Sequence, residues 1–265
     1  MFAAIDWSRP WFDTVRPAAL RIDLKAASVI ADFNRAAQSL ALCNHRGLPL
    51  QFVPQADLPE GTAYEEFIGA QGKVPTRDNL HDFFNGLVWL SFPRIKQQLN
   101  ALQAAQIARD GVGKSRGPAR DAATIFDENA ALLVLRDNAE GAALADALRS
   151  HRWHEAFVER AAMFGKDAQV WLFGHALMEK LVAPYKAITA HTRIVRAPDQ
   201  WFESGEAQRR AWLDEAVAAE LAAEGLSNAG FTPLPVLGIP GWWPQQDKEF
   251  YDDATVFRPK RKAAA

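Results

Sequence analysis

The feature that most constrains the fold is the amphipathic segment VPTRDNLHDFFNGLVWLSFPRIKQQLN, residues 74–100. Its apolar residues recur at the spacing of a helix face, which predicts a buried stripe. We expect one helix over 77–90, capped by Thr76 with Asp78 and ending by Phe92, with a second helix from Pro93. The apolar stripe consists of Leu80, Phe83, Phe84, Leu87, Val88 and Leu90.

The polar side of this helix carries short side chains that form helices poorly compared with Lys, Glu and Gln. At about 100° per residue, Arg77, His81, Asn85, Asp78 and Asp82 share one arc. Two interpretations stay open. The arc is a solvated face with a capped N-terminus, or it is covered and carries a buried hydrogen-bond network or a reactive site.

A second helix is predicted over 167–183, which overlaps the segment VWLFGHALMEKLVAPYK, residues 170–186. His175 and Glu179 are four residues apart and emerge from its apolar side. A buried carboxylate is costly unless it is paired. We therefore expect Glu179 to be largely buried against a histidine, an arginine or a metal ion. In the alternative interpretation, a His–Glu or Arg–Glu pair only holds two helices together.

Between these helices lies SRGPARDAATIFDENA, residues 115–130. Arg116 and Arg120 suit a phosphate or carboxylate, and Asp127 and Glu128 suit Mg²⁺ or Mn²⁺. The run TIF-DEN-AALLVL predicts a hairpin, with a helix from Asp127 as the alternative. In the simpler interpretation, Arg120 pairs with Asp127 or Glu128 and staples the hairpin.

The remaining pattern is mostly helical, with a short strand in LPLQFVPQ and a tail rich in Pro, Gly and aromatic residues. We expect a mainly α (α+β) fold in a single domain, 1–265, with an extended tail, 226–265, packed on the body. The other predicted helices cover 25–42, 62–71, 93–109, 139–149, 151–162 and 205–224. Asn138 is the expected cap of the helix over 139–149, and Gly72 and Gly225 are expected to end the helices over 62–71 and 205–224.

Composition limits the partners. The formal net charge of −2 and the absence of a large basic patch argue against nucleic acid. A single cysteine, the acidic start of the chain and the lack of a long apolar run favour a soluble cytoplasmic protein with no membrane partner. The sequence does not predict an oligomeric state.

One motif resembles a nucleotide site. ARDGVGKS, residues 108–115, fits a relaxed phosphate-loop pattern. That motif needs a strand before it and a helix directly after it, whereas a helix is predicted before it here. We expect no nucleoside triphosphate site, so Lys114→Ala should not alter nucleotide binding.

Four ordered motifs resemble the bacterial family known as domain of unknown function 3025, and together they span most of the chain. The resemblance implies no activity, because the family is defined without one. The motifs are RDNLHDFFNGLVWLSFPRIKQQLNALQ, RGPARDAATIFDEN, FGHALMEKLVAPY and PLPVLGIPGWWPQ…FYDDATVFRP.

The leading hypothesis brings the polar segments into one cleft. It describes a metal-dependent hydrolase of a small anionic substrate, with a phosphate ester favoured by the arginines alone. Zn, Mn or Mg would be the cofactor. The alternatives are a non-enzymatic interaction or scaffold protein with a buried polar network, and a helical pocket for an organic cofactor. The hypothesis assigns metal binding to His81, Asp127, Glu128 and His175, catalysis to Glu179 and Asp82, and substrate binding to Arg77, Asn85, Arg116 and Arg120.

Overall fold

Helices and two small sheets form a mixed α+β fold in the computed structural model, which describes residues 2–110 and 118–260. The α-helices are α1 (Arg16–Ala19), α2 (Ile30–Ser39), α3 (Tyr64–Gln71), α4 (Leu80–Ser91), α5 (Pro93–Asp110), α6 (Pro118–Asn129), α7 (Ala139–Arg149), α8 (His175–Lys180), α9 (Asp199–Glu203), α10 (Glu206–Glu224) and α11 (Lys248–Asp252). The strands are β1 (Gln51–Pro54), β2 (Lys73–Thr76), β3 (Ala130–Arg136), β4 (Ala168–Leu172), β5 (Thr189–Ala197) and β6 (Thr232–Pro235).

The larger sheet has the order β4-β3-β5-β6. Strand β3 pairs antiparallel with β4 and parallel with β5, and β5 pairs antiparallel with β6. Residues 130–135 of β3 are all buried. This agrees with the uninterrupted apolar run AALLVL, because a central strand covered on both faces does not alternate. The smaller sheet pairs β1 with β2 in parallel.

Helix α4 lies at the centre of the helical part and packs on α1, α2, α5 and α8. The predicted burial of Phe83, Phe84 and Leu87 is confirmed, since each is 0% exposed. The predicted start is wrong: α4 begins at Leu80, and Asn79 is its cap, accepting a hydrogen bond from the Asp82 backbone N–H at 2.7 Å.

The residues before α4 fold differently from the prediction. The segment 73–76 forms β2, so Thr76 ends a strand instead of capping a helix. Arg77 therefore precedes the helix. Proline 93 begins α5 as expected, and Asp214 of α10 accepts hydrogen bonds from the backbone N–H groups of Arg94 and Ile95, which caps the helix from another element.

Two predicted elements are corrected. The segment predicted as a hairpin is helix α6 followed directly by strand β3. The segment predicted as one helix over 167–183 is strand β4, a break at Phe173 and Gly174, and the short helix α8. In both cases a short apolar run was ambiguous between strand and helix, and pairing within the larger sheet decided it.

Other boundaries follow the sequence more closely. Helix α7 has the predicted limits and the predicted cap, Asn138. Glycines 72 and 225 end α3 and α10 with positive φ, as expected for helix stops. The segment predicted as a helix over 151–162 instead contains a π-helical turn, Glu155–Glu159, and a 3₁₀ turn, Ala161–Met163.

The C-terminal segment contributes regular structure as well as loops. It supplies β6 to the larger sheet and the short helix α11. Several of its apolar side chains, including Leu237, Tyr251 and Phe257, are buried in the hydrophobic core. Along the described ranges, no helix combines the length and the apolar character that crossing a bilayer requires.

Candidate functional site

A cavity of about 520 Å³ lies between α3, α4, α5, α6 and the start of α8. Residues from three separate polar segments of the sequence meet in its wall. Among the residues predicted from the sequence, the cavity is lined by Arg77, His81, Asp82, Asn85, Arg120, Asp127, Glu128 and His175. Arg116 and Lys114 lie outside the described residues.

Two histidines face each other in this wall. The Nε2 atoms of His81 and His175 are 3.0 Å apart, and the ring planes are inclined at 80°. The other ring nitrogen of each histidine is also held. His175 Nδ1 lies 2.8 Å from the backbone carbonyl oxygen of Asp127, and His81 Nδ1 lies 2.9 Å from Oε2 of Glu179.

The hydrogen bonds fix the tautomer of His175. A carbonyl oxygen only accepts, so His175 Nδ1 is the donor and its Nε2 carries a lone pair. His81 Nε2 must then donate to it. The second ring nitrogen of His81 is hydrogen-bonded to Glu179. Both ring nitrogens of His81 are therefore held at the edge of the cavity.

Glu179 differs from its prediction in exposure. Its side chain is 39% exposed, so the expectation that it is largely buried is wrong. The expectation that it contacts a histidine is confirmed, although the partner is His81 on α4 instead of its neighbour His175. The apolar side expected for a helix over 167–183 does not exist as such, because residues 168–172 form β4 and α8 begins only at His175.

Gly174 allows this arrangement to form. A Cβ atom there would lie 2.5 Å from the backbone nitrogen of Ala130 and 2.6 Å from Cα of Asn129. Only glycine permits so close a contact between the start of α8 and the junction of α6 with β3. The contact brings His175 next to the last turn of α6, where the Asp127 carbonyl lies.

The Asp127 carboxylate has its own buried partner. Lys96 Nζ lies 2.6 Å from its Oδ1, and also 2.9 Å from Oδ1 of Asn85. The lysine side chain is only 4% exposed. Asn85 in turn donates from Nδ2 to the hydroxyl of Tyr64 at 2.9 Å. A continuous polar network therefore links α3, α4, α5 and α6 behind the cavity.

This environment shifts the pKa values of His175 and Asp127. Burial lowers the pKa of His175 to about 4, so its imidazole is neutral at physiological pH. Burial alone would raise the pKa of Asp127, but Lys96 and His175 outweigh it, and the pKa lies below its usual range. Asp127 is therefore an ionised carboxylate paired with a lysine.

Asp82 holds Arg77 in a bidentate ion pair. Its Oδ2 lies 2.8 Å from Nε and its Oδ1 lies 3.0 Å from Nη2 of Arg77, and Oδ2 also accepts the Arg77 backbone N–H at 2.7 Å. These bonds fix the turn between β2 and α4. The charge of Arg77 is thereby matched within the protein.

Arg120 is not matched in this way. It forms no ion pair with Asp127 or Glu128, so the predicted staple is wrong. Its Nε atom is buried without a hydrogen-bond partner in the described part of the chain. Because a buried donor without an acceptor is costly, an unpaired guanidinium in a cavity wall is suited to an anionic ligand.

Sequence reasoning did not single out Tyr64, Glu65 and Gln103 in the cavity wall, or Lys96 behind it. A signal was present on α5. Lys96, Asn100 and Gln103 recur at helical spacing next to the apolar stripe, and all three are buried. A polar stripe of this kind predicts a polar contact with another element.

The histidine pair is the part of the site best suited to a metal ion. Within residues 2–110 and 118–260, no group of three or more His, Cys, Asp or Glu side chains is arranged to hold one. The carboxylate of Asp127 approaches His175 at Nδ1, at 3.7 Å, and not at Nε2. A metal here would therefore have two protein ligands, with both Nδ1 atoms oriented by oxygen atoms.

A family model described as protein of unknown function (DUF3025) matches residues 50–261. The chain belongs to the DUF3025 family. The matched range contains all of the residues that line the cavity. Searches of curated proteins and of solved structures found no match to the chain.

Proposed function

We propose that this protein is a hydrolase that binds a small anionic substrate in the cavity and uses a divalent metal ion held by His81 and His175. The observation that carries the proposal is the opposed pair of Nε2 atoms, 3.0 Å apart, in the wall of a cavity of substrate size. The unpaired guanidinium of Arg120 supports an anionic substrate.

The distances favour a shared ion. Two Zn–N bonds of 2.0–2.1 Å at a tetrahedral angle place the nitrogens about 3.3 Å apart. The imidazoles would need to lose the proton between them, to separate by a few tenths of an ångström and to turn so that both lone pairs point at the ion. The carbonyl of Asp127 and the carboxylate of Glu179 already orient the rings, as oxygen atoms do for most metal-bound histidines.

The chain supplies the other parts of the chemistry. His81 is 33% exposed and is hydrogen-bonded to Glu179, so this pair is placed to contact water in the cavity. A metal ion bound there would lower the pKa of a coordinated water and polarise the substrate. Asp127 is engaged by Lys96, so we reassign it from metal ligand to a residue that positions His175.

The test is hydrolysis of para-nitrophenyl phosphate, a phosphate diester and a carboxylate-bearing ester, after chelation and then with Zn²⁺, Mn²⁺ or Mg²⁺. We expect metal-dependent hydrolysis of at least one substrate, lost in His81→Asn and in His175→Asn. His154→Asn is the matched control, because His154 is exposed and lies outside the cavity. The proposal fails if no metal supports hydrolysis of any of these substrates.

A second function is favoured by the buried ion pair. Lys96 and Asp127 join α5 to α6 with little exposure, and such networks fix how helices pack. In this second function the protein is a non-enzymatic scaffold, and the cavity catalyses no reaction. His81→Asn and His175→Asn would then lower stability without changing metal affinity, which calorimetric titration with Zn²⁺ measures directly.

A further inference from the structure

The cavity contains unmatched charges of both signs. Arg77 is matched by Asp82 and Asp127 by Lys96, and outside the lining Glu179 is hydrogen-bonded to His81. Among the described residues in the wall, these pairs leave the Arg120 guanidinium and the carboxylates of Glu65 and Glu128 without a counter-ion. The unmatched groups do not form ion pairs with each other. A ligand bound between them would supply the missing counter-charges.

Glu65 is held as a fixed acceptor. Its Oε2 receives a hydrogen bond from Nδ2 of Asn100 at 2.7 Å. Asn100 donates from the same nitrogen to the Glu65 carbonyl, and its Oδ1 lies 2.7 Å from Nδ1 of His45. Because Nδ2 donates to two oxygens, the amide orientation is set and Oδ1 accepts from His45. The carboxylate is thus oriented before any ligand binds.

Burial raises the pKa of Glu65, partly offset by Lys96 and increased further by Asp127. The nearby polar groups are the amide of Asn100, the ammonium of Lys96 and the hydroxyl of Tyr64, and Lys96 is already bound elsewhere. The Glu65 side chain is partly buried, and a carboxylate with a single neutral donor in such a place is costly when ionised. A cationic donor from a ligand would remove that cost.

Arg120 presents the opposite requirement. Its buried Nε lacks an acceptor, and a carboxylate or phosphate would provide one, together with a bidentate contact to the guanidinium. A ligand with one charge would match only one of these groups. A ligand with both charges would match the two together.

We propose that the cavity binds a small zwitterion, with its anionic group on the Arg120 guanidinium and its ammonium group on the Glu65 carboxylate. The inference narrows the substrate class of the proposed function and rests on it for the choice of cavity. The volume of about 520 Å³ accommodates such a molecule and solvent.

Calorimetric titration tests this with a series in which the separation of the two charges increases: glycine, β-alanine, γ-aminobutyrate and 5-aminovalerate. Butyrate and butylamine carry one charge each. We expect at least one amino acid to bind about tenfold or more tightly than both single-charge probes, which corresponds to about 1.4 kcal/mol.

Arg120→Gln and Glu65→Gln should each remove this preference, and each should retain the circular dichroism spectrum of the native protein. Arg94→Gln is the matched control, since Arg94 is an exposed arginine that pairs with Glu215 outside the cavity. If Glu65→Gln does not fold, Arg120→Gln and the ligand series still decide the question.

The proposal is overturned if no amino acid binds, if the amino acids bind no more tightly than butyrate or butylamine, or if Arg120→Gln leaves their affinity unchanged. These outcomes concern binding alone. Loss of hydrolysis in His81→Asn with the zwitterion preference intact would support both proposals, whereas the preference without any hydrolysis would contradict only the proposed activity.

Discussion

His175 should make this protein less stable in acid. Its pKa is about 4 in the folded protein against 6.5 for an exposed histidine, and burial is the main cause. The folded state therefore binds fewer protons than the unfolded state between these values. The stability is complete above about pH 6.5 and is lost as the pH falls towards about 4. At about 1.36 kcal/mol per pH unit, the loss is roughly 3 kcal/mol.

Urea unfolding of metal-free protein, followed by tryptophan fluorescence, measures this loss. Between about pH 7 and about pH 4, the wild-type free energy of unfolding should fall by roughly 3 kcal/mol more than that of His175→Asn. Asparagine keeps an amide donor for the Asp127 carbonyl but does not titrate. His154→Asn should follow the wild type. Parallel curves for the wild type and His175→Asn would refute the assignment of a buried neutral imidazole.

Three substitutions test other parts of the site and the fold. Glu179→Gln should change the free energy of unfolding by less than about 1 kcal/mol, because the side chain is partly exposed. The same change should weaken Zn²⁺ binding about 10- to 100-fold, because it removes the carboxylate that orients His81. An unchanged Zn²⁺ affinity would contradict that role. Lys96→Met should lower the free energy of unfolding by about 3–5 kcal/mol, because Asp127 is left buried without its partner, and a loss below about 1 kcal/mol would argue against the ion pair. Leu87→Ala should cost about 2–5 kcal/mol in the same urea assay, since Leu87 is 0% exposed, and a near-neutral result would refute its packing.

Helix periodicity made α4 predictable. The apolar stripe of α4 gave the buried face, and Asn138 and Gly225 marked ends of α7 and α10 that the structure confirms. These signals are local, since they depend on residues within one or two turns.

The larger sheet was not predictable in the same way. The run AALLVL and the run AQVWL are each short and apolar, and periodicity alone does not separate a buried strand from a buried helix. Their pairing, with Leu132 opposite Trp171, joins residues far apart in the chain. Strand β5, Thr189–Ala197, was not predicted. Its pairing partner is β3, which the sequence predicts as half of a hairpin.

The sequence singled out residues that meet in the cavity wall, but not most of their contacts. His81 and His175 stood out on helices with apolar faces, and Asp127 stood out as a carboxylate at a predicted turn. The partners themselves depend on tertiary packing: Lys96 for Asp127, and His81 for Glu179. The polar stripe of Lys96, Asn100 and Gln103 indicates a contact with another element, but it does not show which residue that contact involves.

The most direct test of the metal proposal is a crystal structure of the protein equilibrated with Zn²⁺, with the ion located by its anomalous scattering. The account predicts an ion between the Nε2 atoms of His81 and His175, about 2.0–2.1 Å from each, with the Nδ1 contacts to Glu179 and the Asp127 carbonyl retained. An empty site at saturating Zn²⁺, with the two Nε2 atoms still in a direct hydrogen bond, would contradict it.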